Sequence, residues 1–365
     1  MSEAVRPDSK WAPYFGVLPI ELDSLVFWSS SELAELQASA VVNKIGKSQA
    51  EDIFRQSISK VVPEGSNLDF FHKVASTIMA YAFDIPEGNQ DEEDHAQEDD
   101  LVDDEDEKTI LSMIPLADML NADADNNARL HYDGEELEMR AIRAIKSGEE
   151  ILNDYGQLPR SDLLRRYGYV TDKYAIYDVV ELSATSIVAY ARNNMYEDLK
   201  LRQTSTEIDA RVELAIREDV YEDSYDIVHA NEEWSCIPDE LVALVWLLVV
   251  DKETLASIQS SKMSLPSRSK METEVVGKVL QNLLKRREQE YATTASQDDA
   301  ILQDTNLTYR ARKAIKVRQG EKHVLSEAVG EAAKFQGNNK RMLGQAVKRG
   351  REEDDQKSQK RSKHR

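Results

Sequence analysis

Four polar side chains, one carboxamide and three phenols, follow each other in an order that could build a ligand site. Asn121 ends an apolar segment, Tyr155 stands before a turn glycine, and Tyr167 and Tyr169 lie at the end of a short predicted helix. Aromatic walls can form a narrow, dry channel, and hydroxyl and carboxamide groups can donate hydrogen bonds to a bound ligand and accept hydrogen bonds from it. Each of these residues alone is common in turns or helices, so only their order and spacing together indicate a ligand site.

Strand and turn signals lie between the carboxamide and the first phenol. Residues 129–133 and 137–142 alternate apolar and polar side chains around an Asp-Gly dipeptide, which is typical of hairpin turns. After a second turn at residues 146–148, Ser161 is predicted to cap a helix that stops at Gly168. The sequence therefore predicts a hairpin and a short helix that position the polar residues.

Helical patterns flank this region on both sides. Ser29 and Glu32 form a helix-start signature, and a second helical run begins near Asn67 and is expected to include Phe83. Beyond residue 180 the pattern is nearly all helical, and the run 241–250 is apolar on every side. Such a segment is predicted to lie at the centre of a helical bundle.

Three motifs carry a family resemblance. They are residues 114–123 (IPLADMLNAD), 151–156 (ILNDYG) and 163–170 (LLRRYGYV). In this order, and followed by a helical region, they resemble the C-terminal half of a SET-domain protein lysine methyltransferase with a Rubisco LSMT-type substrate-binding domain. Within that family, the motifs are most similar to the fungal ribosomal lysine methyltransferases. The resemblance implies a protein-lysine N-methyltransferase that uses S-adenosyl-L-methionine and modifies a basic substrate, a ribosomal protein.

The resemblance also assigns roles to individual residues. It makes Tyr155 the catalytic residue, and it implies that Asn121, Ala122 and Tyr167 bind the cofactor. Tyr169, together with Tyr155, would line the channel for the substrate lysine. Position 122 departs from the family, which has His there, so only a backbone contact could survive. Because a hydroxyl group on residue 169 would crowd a dimethylated amine, the resemblance implies mainly monomethylation.

Two further departures point to an alternative. The family's Ser-Arg-x-Phe signature is represented by residues 80–83 (AYAF), which lack the arginine that would contact the cofactor. Nothing before Trp11 can supply the Gly-x-Gly turn with which the family begins, so we expect that the N-terminal SET lobe is lacking. The alternative is a catalytically impaired SET protein whose helical domain binds a basic partner.

Charge is distributed unevenly along the chain. The net charge is −22, residues 87–107 hold thirteen Asp or Glu and no Lys or Arg, and residues 338–365 hold ten Lys or Arg against four acids. The acidic run is too polar to offset the entropy of ordering it, so we predict a disordered loop. An acidic body favours basic partners and argues against nonspecific nucleic-acid binding.

Cysteine and histidine content limits the chemistry further. The single cysteine, Cys236, excludes an intrachain disulfide and a cysteine-rich zinc site, and the six histidines show no close pair at metal-ligand spacing. No metal is therefore expected. The longest apolar run covers about half a membrane span and no signal peptide opens the chain, so a soluble intracellular protein is expected.

The tail carries two basic clusters at the spacing of a bipartite nuclear-import signal. They are Lys348 with Arg349, and Lys360 with Arg361 and Lys363. Two clusters on an extended chain could occupy two acidic pockets of an import receptor, which predicts nuclear localisation. The alternative is a solvated basic tail on a cytoplasmic protein.

The predicted architecture is α+β: a partial SET fold of β-hairpins and a threaded crossing, with a helical insert, followed by an all-α substrate-binding domain. The predicted boundaries are 1–86 for the helical insert, 87–108 for the acidic disordered loop, 109–170 for the C-terminal part of the SET domain and 171–337 for the helical domain. Residues 338–365 are predicted to form a basic tail that is too polar to fold.

Overall fold

The computed structural model describes residues 2–6, 8–86, 109–133, 136–231 and 234–343. The acidic run and both basic clusters of the tail lie outside the described residues. The chain divides into two units: Met1–Leu33 with Val41–Ile176, and Ala34–Ala40 with Tyr177–Arg365.

The first unit combines short helices with two antiparallel strand pairs, β1 with β2 and β3 with β4. Its helices are α1 (Ala12–Phe15), α2 (Ser30–Ala34, whose last residue belongs to the second unit), α3 (Lys47–Gln56), α4 (Leu68–Tyr81) and α5 (Arg160–Tyr167), and its strands are β1 (Ala82–Pro86), β2 (Thr109–Met113), β3 (Ala128–Asp133) and β4 (Glu136–Ala141).

The predicted hairpin and the predicted capping signature are confirmed. Strands β3 and β4 pair antiparallel, with Asp133 opposite Glu136 across the turn. At the start of α2, the Ser29 hydroxyl accepts a hydrogen bond from the Glu32 amide (3.3 Å) and the Glu32 carboxylate accepts one from the Ser29 amide (2.7 Å). Reciprocal bonds of this kind satisfy two amides that the helix leaves unpaired.

Two local predictions in this unit are wrong. Phe83 does not continue the preceding helix: α4 ends at Tyr81, and Phe83 lies in β1, paired with Ser112. Strand pairing with a distant segment overrode the helical periodicity. Helix α5 is capped by Pro159 rather than by Ser161, because the extended Pro159 places Arg160 in the first helical position. The predicted stop at Gly168, which is left-handed (φ 76°), is confirmed.

The second unit is mainly helical. It contains α6 (Ala184–Asn193), α7 (Met195–Leu199), α8 (Ser205–Arg217), α9 (Asp239–Val249), α10 (Lys252–Gln259), α11 (Arg268–Met271), α12 (Glu274–Gln289), α13 (Ala295–Leu302) and α14 (Tyr309–Ala332), with strands β5 (Val179–Ser183) and β6 (Ser224–Val228). The strands correct the all-α prediction: β5 and β6 form an antiparallel pair, and the alternating Val180 and Leu182 of β5 are buried.

Helix α9 is the centre of the second unit, as its sequence predicts. Every residue from Leu241 to Val249 is buried in the core cluster. The Arg211 guanidinium, itself buried, donates hydrogen bonds to the carbonyl oxygens of Leu247 and Val250 (2.8 Å for Val250). A cation is favourable at a helix C-terminus, where the carbonyls have no partners within the helix. Burial lowers the pKa of Arg211 to about 10, and the side chain remains charged at neutral pH.

The second unit continues past the predicted start of the tail. Residues 338–343 are part of the fold: Met342 is buried and forms a bridge with Val250, and the Leu343 amide donates to the Val249 carbonyl (2.8 Å). Two apolar residues, Met342 and Leu343, are sufficient to anchor this segment at the end of α9. The prediction that the chain is unstructured from residue 338 is therefore wrong for these six residues.

A buried charge cluster joins α13 and α14. Asp298, which is fully buried, accepts hydrogen bonds from Nε (3.0 Å) and Nη2 (2.8 Å) of Arg318 and from Lys322. Burial alone would raise the pKa of the Asp298 carboxyl, but these donors outweigh it and the pKa is lowered. Arg318 also donates to the carbonyl oxygen of Glu35, so the cluster holds the segment Ala34–Ala40 within this unit.

Replacing Asp298 with asparagine should destabilise the protein by about 3–5 kcal/mol, because two buried cations would lose their shared carboxylate. Denaturant unfolding followed by circular dichroism measures the change. The wild-type contribution should disappear as pH falls through the lowered pKa of Asp298, since protonation removes the same charge. The neighbouring exposed residue supplies the control: Asp299→Asn should change stability by less than about 0.5 kcal/mol. Equal effects of the two substitutions would contradict the assignment.

Candidate active site

Two segments that are distant in sequence cross in the first unit. The Asn153 amide donates to the Asn121 carbonyl (2.8 Å), and the Asp123 amide donates to the Asn153 carbonyl (3.1 Å). Ala122 and Asn153 therefore form a parallel bridge. In this pattern the amide and carbonyl of Ala122 point away from Asn153. Neither group has a hydrogen-bond partner among the described residues.

The side chain of Asn127, which is fully buried, fixes the second segment. Its amide nitrogen donates to the Glu150 carbonyl (2.8 Å), and its amide oxygen accepts from the Leu152 amide (2.8 Å). The Asn127 backbone amide also donates to the Leu152 carbonyl (3.2 Å). A buried asparagine with donor and acceptor both satisfied specifies one arrangement of the backbone. The loop before Tyr155 therefore has a defined position.

The three tyrosines named by the sequence lie together. The rings of Tyr155 and Tyr167 stack with centroids 4.7 Å apart and an interplanar angle of 25°, and those of Tyr167 and Tyr169 are 6.2 Å apart at 53°. The Tyr155 hydroxyl donates to the carbonyl oxygen of Leu120 (3.0 Å), the residue before Asn121. The phenol and the carboxamide thus converge at the crossing.

Gly168 makes the path between Tyr167 and Tyr169 possible. It is left-handed, and a Cβ atom there would lie 2.6 Å from the carbonyl carbon of Asp23 and 2.8 Å from the amide nitrogen of Ser24. Both the conformation and the close backbone approach require glycine. The tight turn directs the two tyrosines on either side of it toward the same cavity.

All five predicted site residues of the catalytic region line one cavity of about 280 Å³. Asn121 is held there by a hydrogen bond from its amide nitrogen to the Glu150 carboxylate (2.7 Å). The complete lining is Val17, Pro19, Leu22, Ala80, Tyr81, Asp118, Met119, Asn121, Ala122, Tyr155, Tyr167 and Tyr169. The predicted roles of these residues remain predictions, but their convergence is a property of the fold.

Electrostatically, the cavity is an aromatic environment with one carboxylate. Burial raises the pKa of Tyr155, Tyr167 and Tyr169 above the usual range, so all three hydroxyls stay protonated at neutral pH. Among the described residues, the enclosed Tyr169 hydroxyl has no hydrogen-bond partner. Burial also raises the pKa of Asp118, which accepts a hydrogen bond from the Tyr14 hydroxyl.

Sequence reasoning missed two residues of this lining, Asp118 and Tyr81, and it also missed Tyr14, which contacts Asp118 from outside the lining. Tyr14 and Asp118 are paired in the structure, but they are far apart in the chain and the sequence gives no signal that they meet. Tyr81 lines the cavity in the short segment that lacks the family's arginine, where only the departure itself pointed to the site. Covariation between distant positions is the type of signal that could have revealed the pair.

The part of the chain that the structure describes contains neither a metal-binding cluster nor a membrane-spanning helix. No group of three His, Cys, Asp or Glu residues there could hold a metal ion. None of the helices described is both long and apolar enough to cross a membrane.

Comparisons with known proteins agree with this geometry. The SET domain family matches residues 20–156, and the Rubisco LSMT substrate-binding family matches residues 192–325. Ribosomal lysine N-methyltransferase 4 of Saccharomyces cerevisiae is 34% identical over 68% of this chain and 53% of its own length. N-lysine methyltransferase SETD6 of Homo sapiens is 25% identical over 90% of this chain and 72% of its own length. The chain thus spans about half of the yeast relative.

Solved structures show the same fold. Rubisco LSMT bound to AdoMet superposes with a TM-score of 0.61 at 21% identity, covering 91% of this chain and 72% of that one. The SET domain of LSMT bound to MeLysine and AdoHcy gives 0.63 at 20% identity, covering 93% and 76%. The predicted α+β class, with a SET fold and a helical C-terminal region, is confirmed. The chain is a SET-domain protein with a Rubisco LSMT-type substrate-binding domain on the C-terminal side of its SET domain in the sequence.

Proposed function

We propose that this protein is an S-adenosyl-L-methionine-dependent protein-lysine N-methyltransferase. The observation that carries the proposal is the convergence of Tyr155, Tyr167 and Tyr169 with Asn121 and Ala122 around one cavity. The relatives named as lysine methyltransferases, and the LSMT structure bound to AdoMet, support the same reaction class.

The residues present fit the cofactor. The unpaired amide and carbonyl of Ala122 offer a donor and an acceptor to the polar edge of a ligand, without requiring a side chain at that position. Asn121 and Tyr167 would complete this contact surface. When bound, S-adenosyl-L-methionine supplies a methyl group made electrophilic by its sulfonium sulfur.

The chain itself would prepare the lysine amine. A lysine in water has a pKa of about 10.4 and is protonated at neutral pH, whereas only the free amine is nucleophilic. The desolvated phenol rings disfavour the ammonium form, because a dry environment penalises charge. The Tyr155 hydroxyl and the Leu120 carbonyl, which are 3.0 Å apart, provide polar atoms that can orient the amine.

As substrate we propose a basic protein, specifically a ribosomal protein. The name of the yeast relative supports this choice, and the net charge of −22 favours encounter with a basic partner. We propose that the LSMT-type domain, which matches residues 192–325, binds this substrate.

Tyr155→Phe should lower methyl transfer about 10²–10³-fold, the effect of losing one preorganised hydrogen-bond donor, while the fold is retained. The ring stack on Tyr167 does not need the hydroxyl, so the melting temperature should change little. The measurement is radiolabelled methyl transfer to purified ribosomal proteins. Tyr132→Phe removes a hydroxyl from the exposed face of β3, outside the cavity, and should leave turnover unchanged.

Calorimetry with the cofactor separates an enzyme from a binding module. Micromolar binding of S-adenosyl-L-methionine to the wild-type protein supports the enzyme. Absence of binding, together with retained affinity for ribosomal protein, would support instead the catalytically impaired binder.

In the turnover assay, a Tyr155→Phe variant that is as active as wild type would remove Tyr155 from its proposed catalytic role.

We further propose that the product is mainly monomethyl-lysine. The Tyr169 hydroxyl is enclosed at the cavity. In the proposed lysine channel it would leave little room for additional methyl groups. Tyr169→Phe should therefore increase the dimethyl and trimethyl fractions, as measured by mass spectrometry of the substrate lysine. Tyr132→Phe should leave the product ratio unchanged. Trimethyl-lysine as the dominant product of the wild-type protein would contradict the proposal.

We propose nuclear import through the two basic clusters of the tail, Lys348 with Arg349 and Lys360 with Arg361 and Lys363. Two positive clusters joined by a ten-residue spacer suit a receptor with two acidic pockets. Replacing either cluster with alanine should move a fluorescent fusion of the full chain toward the cytoplasm. Unchanged nuclear signal after both replacements would show that the tail is not the import signal.

A further inference from the structure

A second cavity, of about 620 Å³, lies within the substrate-binding unit. Trp246 and Met342, both buried, contribute apolar surface, and the loop after α10 and the chain after α14 form its walls. The complete lining is Trp246, Met263, Ser264, Leu265, Pro266, Ser267, Lys270, Thr273, Asn338, Lys340, Arg341 and Met342. We call this cavity the cationic cleft, because its charged residues are all positive.

The three cations of the cleft, Lys270, Lys340 and Arg341, are exposed, and within the described ranges none of them forms an ion pair. Two acids near them are already engaged: Glu272 lies two residues after Lys270, and the Asp251 amide donates to the Arg341 carbonyl (2.7 Å). Asp251 caps α10 by accepting from the Thr254 amide (2.7 Å), and Glu272 pairs with Arg268 (2.8 Å). Three unpaired cations therefore surround one concavity in a protein of net charge −22. Their mutual repulsion decreases when an anion binds in the cleft.

The backbone that carries two of these cations is fixed at both ends. Gly337 forms a parallel bridge with Thr273, and Met342 forms an antiparallel bridge with Val250. Glycine is required at 337, because a Cβ atom would lie 2.6 Å from the Glu272 carbonyl oxygen. Lys340 and Arg341 are therefore presented from a defined backbone, which lowers the entropy lost when an anion binds.

The chain leaves the described fold at Leu343, next to the cleft residue Met342. Beyond it, residues 352–355 (Glu-Glu-Asp-Asp) are the only acids of the tail, and we call them the acidic tetrad. Nine residues of extended chain reach about 30 Å, so the tetrad can fold back to the cleft without strain.

We propose that the acidic tetrad of this chain occupies the cationic cleft. Four carboxylates meet three cations, and the tether raises the effective concentration of the tetrad to the millimolar range. A single exposed ion pair contributes little, but several pairs within one concave site act as a network. Docking would hold the first basic cluster, Lys348 with Arg349, close to the folded unit.

The charge pattern favours this occupant over a nucleic acid. A bound strand needs a positive surface that follows its backbone, whereas the cleft is a single concavity in an acidic protein. Apolar lining by Met263, Leu265 and Pro266 also suits a peptide backbone better than a phosphate chain.

Carbodiimide cross-linking of the full chain, followed by mass spectrometry, tests the contact. This reagent joins an amine directly to a carboxylate, so a bond between Lys340 and the tetrad is expected, and it should be lost at 1 M salt. In a mixture of isotope-labelled and unlabelled protein, the cross-link should join residues of the same copy. Reversing the other two cations, in K270E/R341E, should reduce the Lys340 cross-link at least tenfold, whereas the control K285E/K334E should retain it. Links between different copies, or no link at all, would overturn the proposal.

A peptide of residues 346–358, labelled with fluorescein, tests the occupant. Replacing each Glu of the tetrad with Gln and each Asp with Asn should free the cleft. The affinity for this peptide should then increase at least tenfold over wild type. The matched control converts residues 103–106, also four consecutive acids, to amides and should bind as wild type does. A higher peptide affinity in that control would indicate that the acidic run, rather than the tetrad, occupies the cleft. Equal or absent peptide binding in wild type and tetrad variant, or RNA binding that depends on Lys270 and Arg341, would also overturn the proposal.

Discussion

The crossing of two backbone segments at Ala122 and Asn153 is the interaction on which the site depends. Two backbone hydrogen bonds, of 2.8 and 3.1 Å, join the segments, and the buried Asn127 side chain fixes the neighbouring loop from within. Only when this crossing forms do Asn121 and Tyr155 approach each other, because 33 residues of chain and a hairpin separate them. Loss of these hydrogen bonds would therefore let the phenol move relative to the carboxamide.

Different kinds of interaction determine the structures of the two units. In the first, polar contacts between loops and a tyrosine stack set the positions of the site residues. In the second, the all-apolar helix α9 forms the centre, and the Asp298 cluster adds specificity at one edge. Buried ion pairs are weak sources of net stability, but removing one partner is strongly unfavourable. The cluster therefore restricts which segment can pack there, and the segment that it accepts, Ala34–Ala40, comes from far away in the sequence.

Sequence patterns predicted the elements whose signals are local. The Asp-Gly hairpin, the capping pair at Ser29, the stop at Gly168 and the buried α9 each depend on neighbouring residues, and each is confirmed. The misses depend on distant partners. Phe83 joined a strand because β2 is available to pair with it, β5 and β6 formed within a helical background, and Met342 ordered the start of a basic tail. The pairing of Tyr14 with Asp118 is of the same kind, and no periodicity announces it.

Position 122 shows why a departure from a family motif need not remove a function. Alanine in place of histidine removes every side-chain contact beyond a methyl group, yet the parallel bridge orients the peptide groups of residue 122 irrespective of its side chain. A ligand edge that is read by backbone amide and carbonyl depends on the path of the chain rather than on the identity of the residue. The loss at residues 80–83 is different, since the missing arginine would act through its guanidinium. In its place Tyr81 lines the cavity, and an aromatic wall there excludes water but supplies no charge.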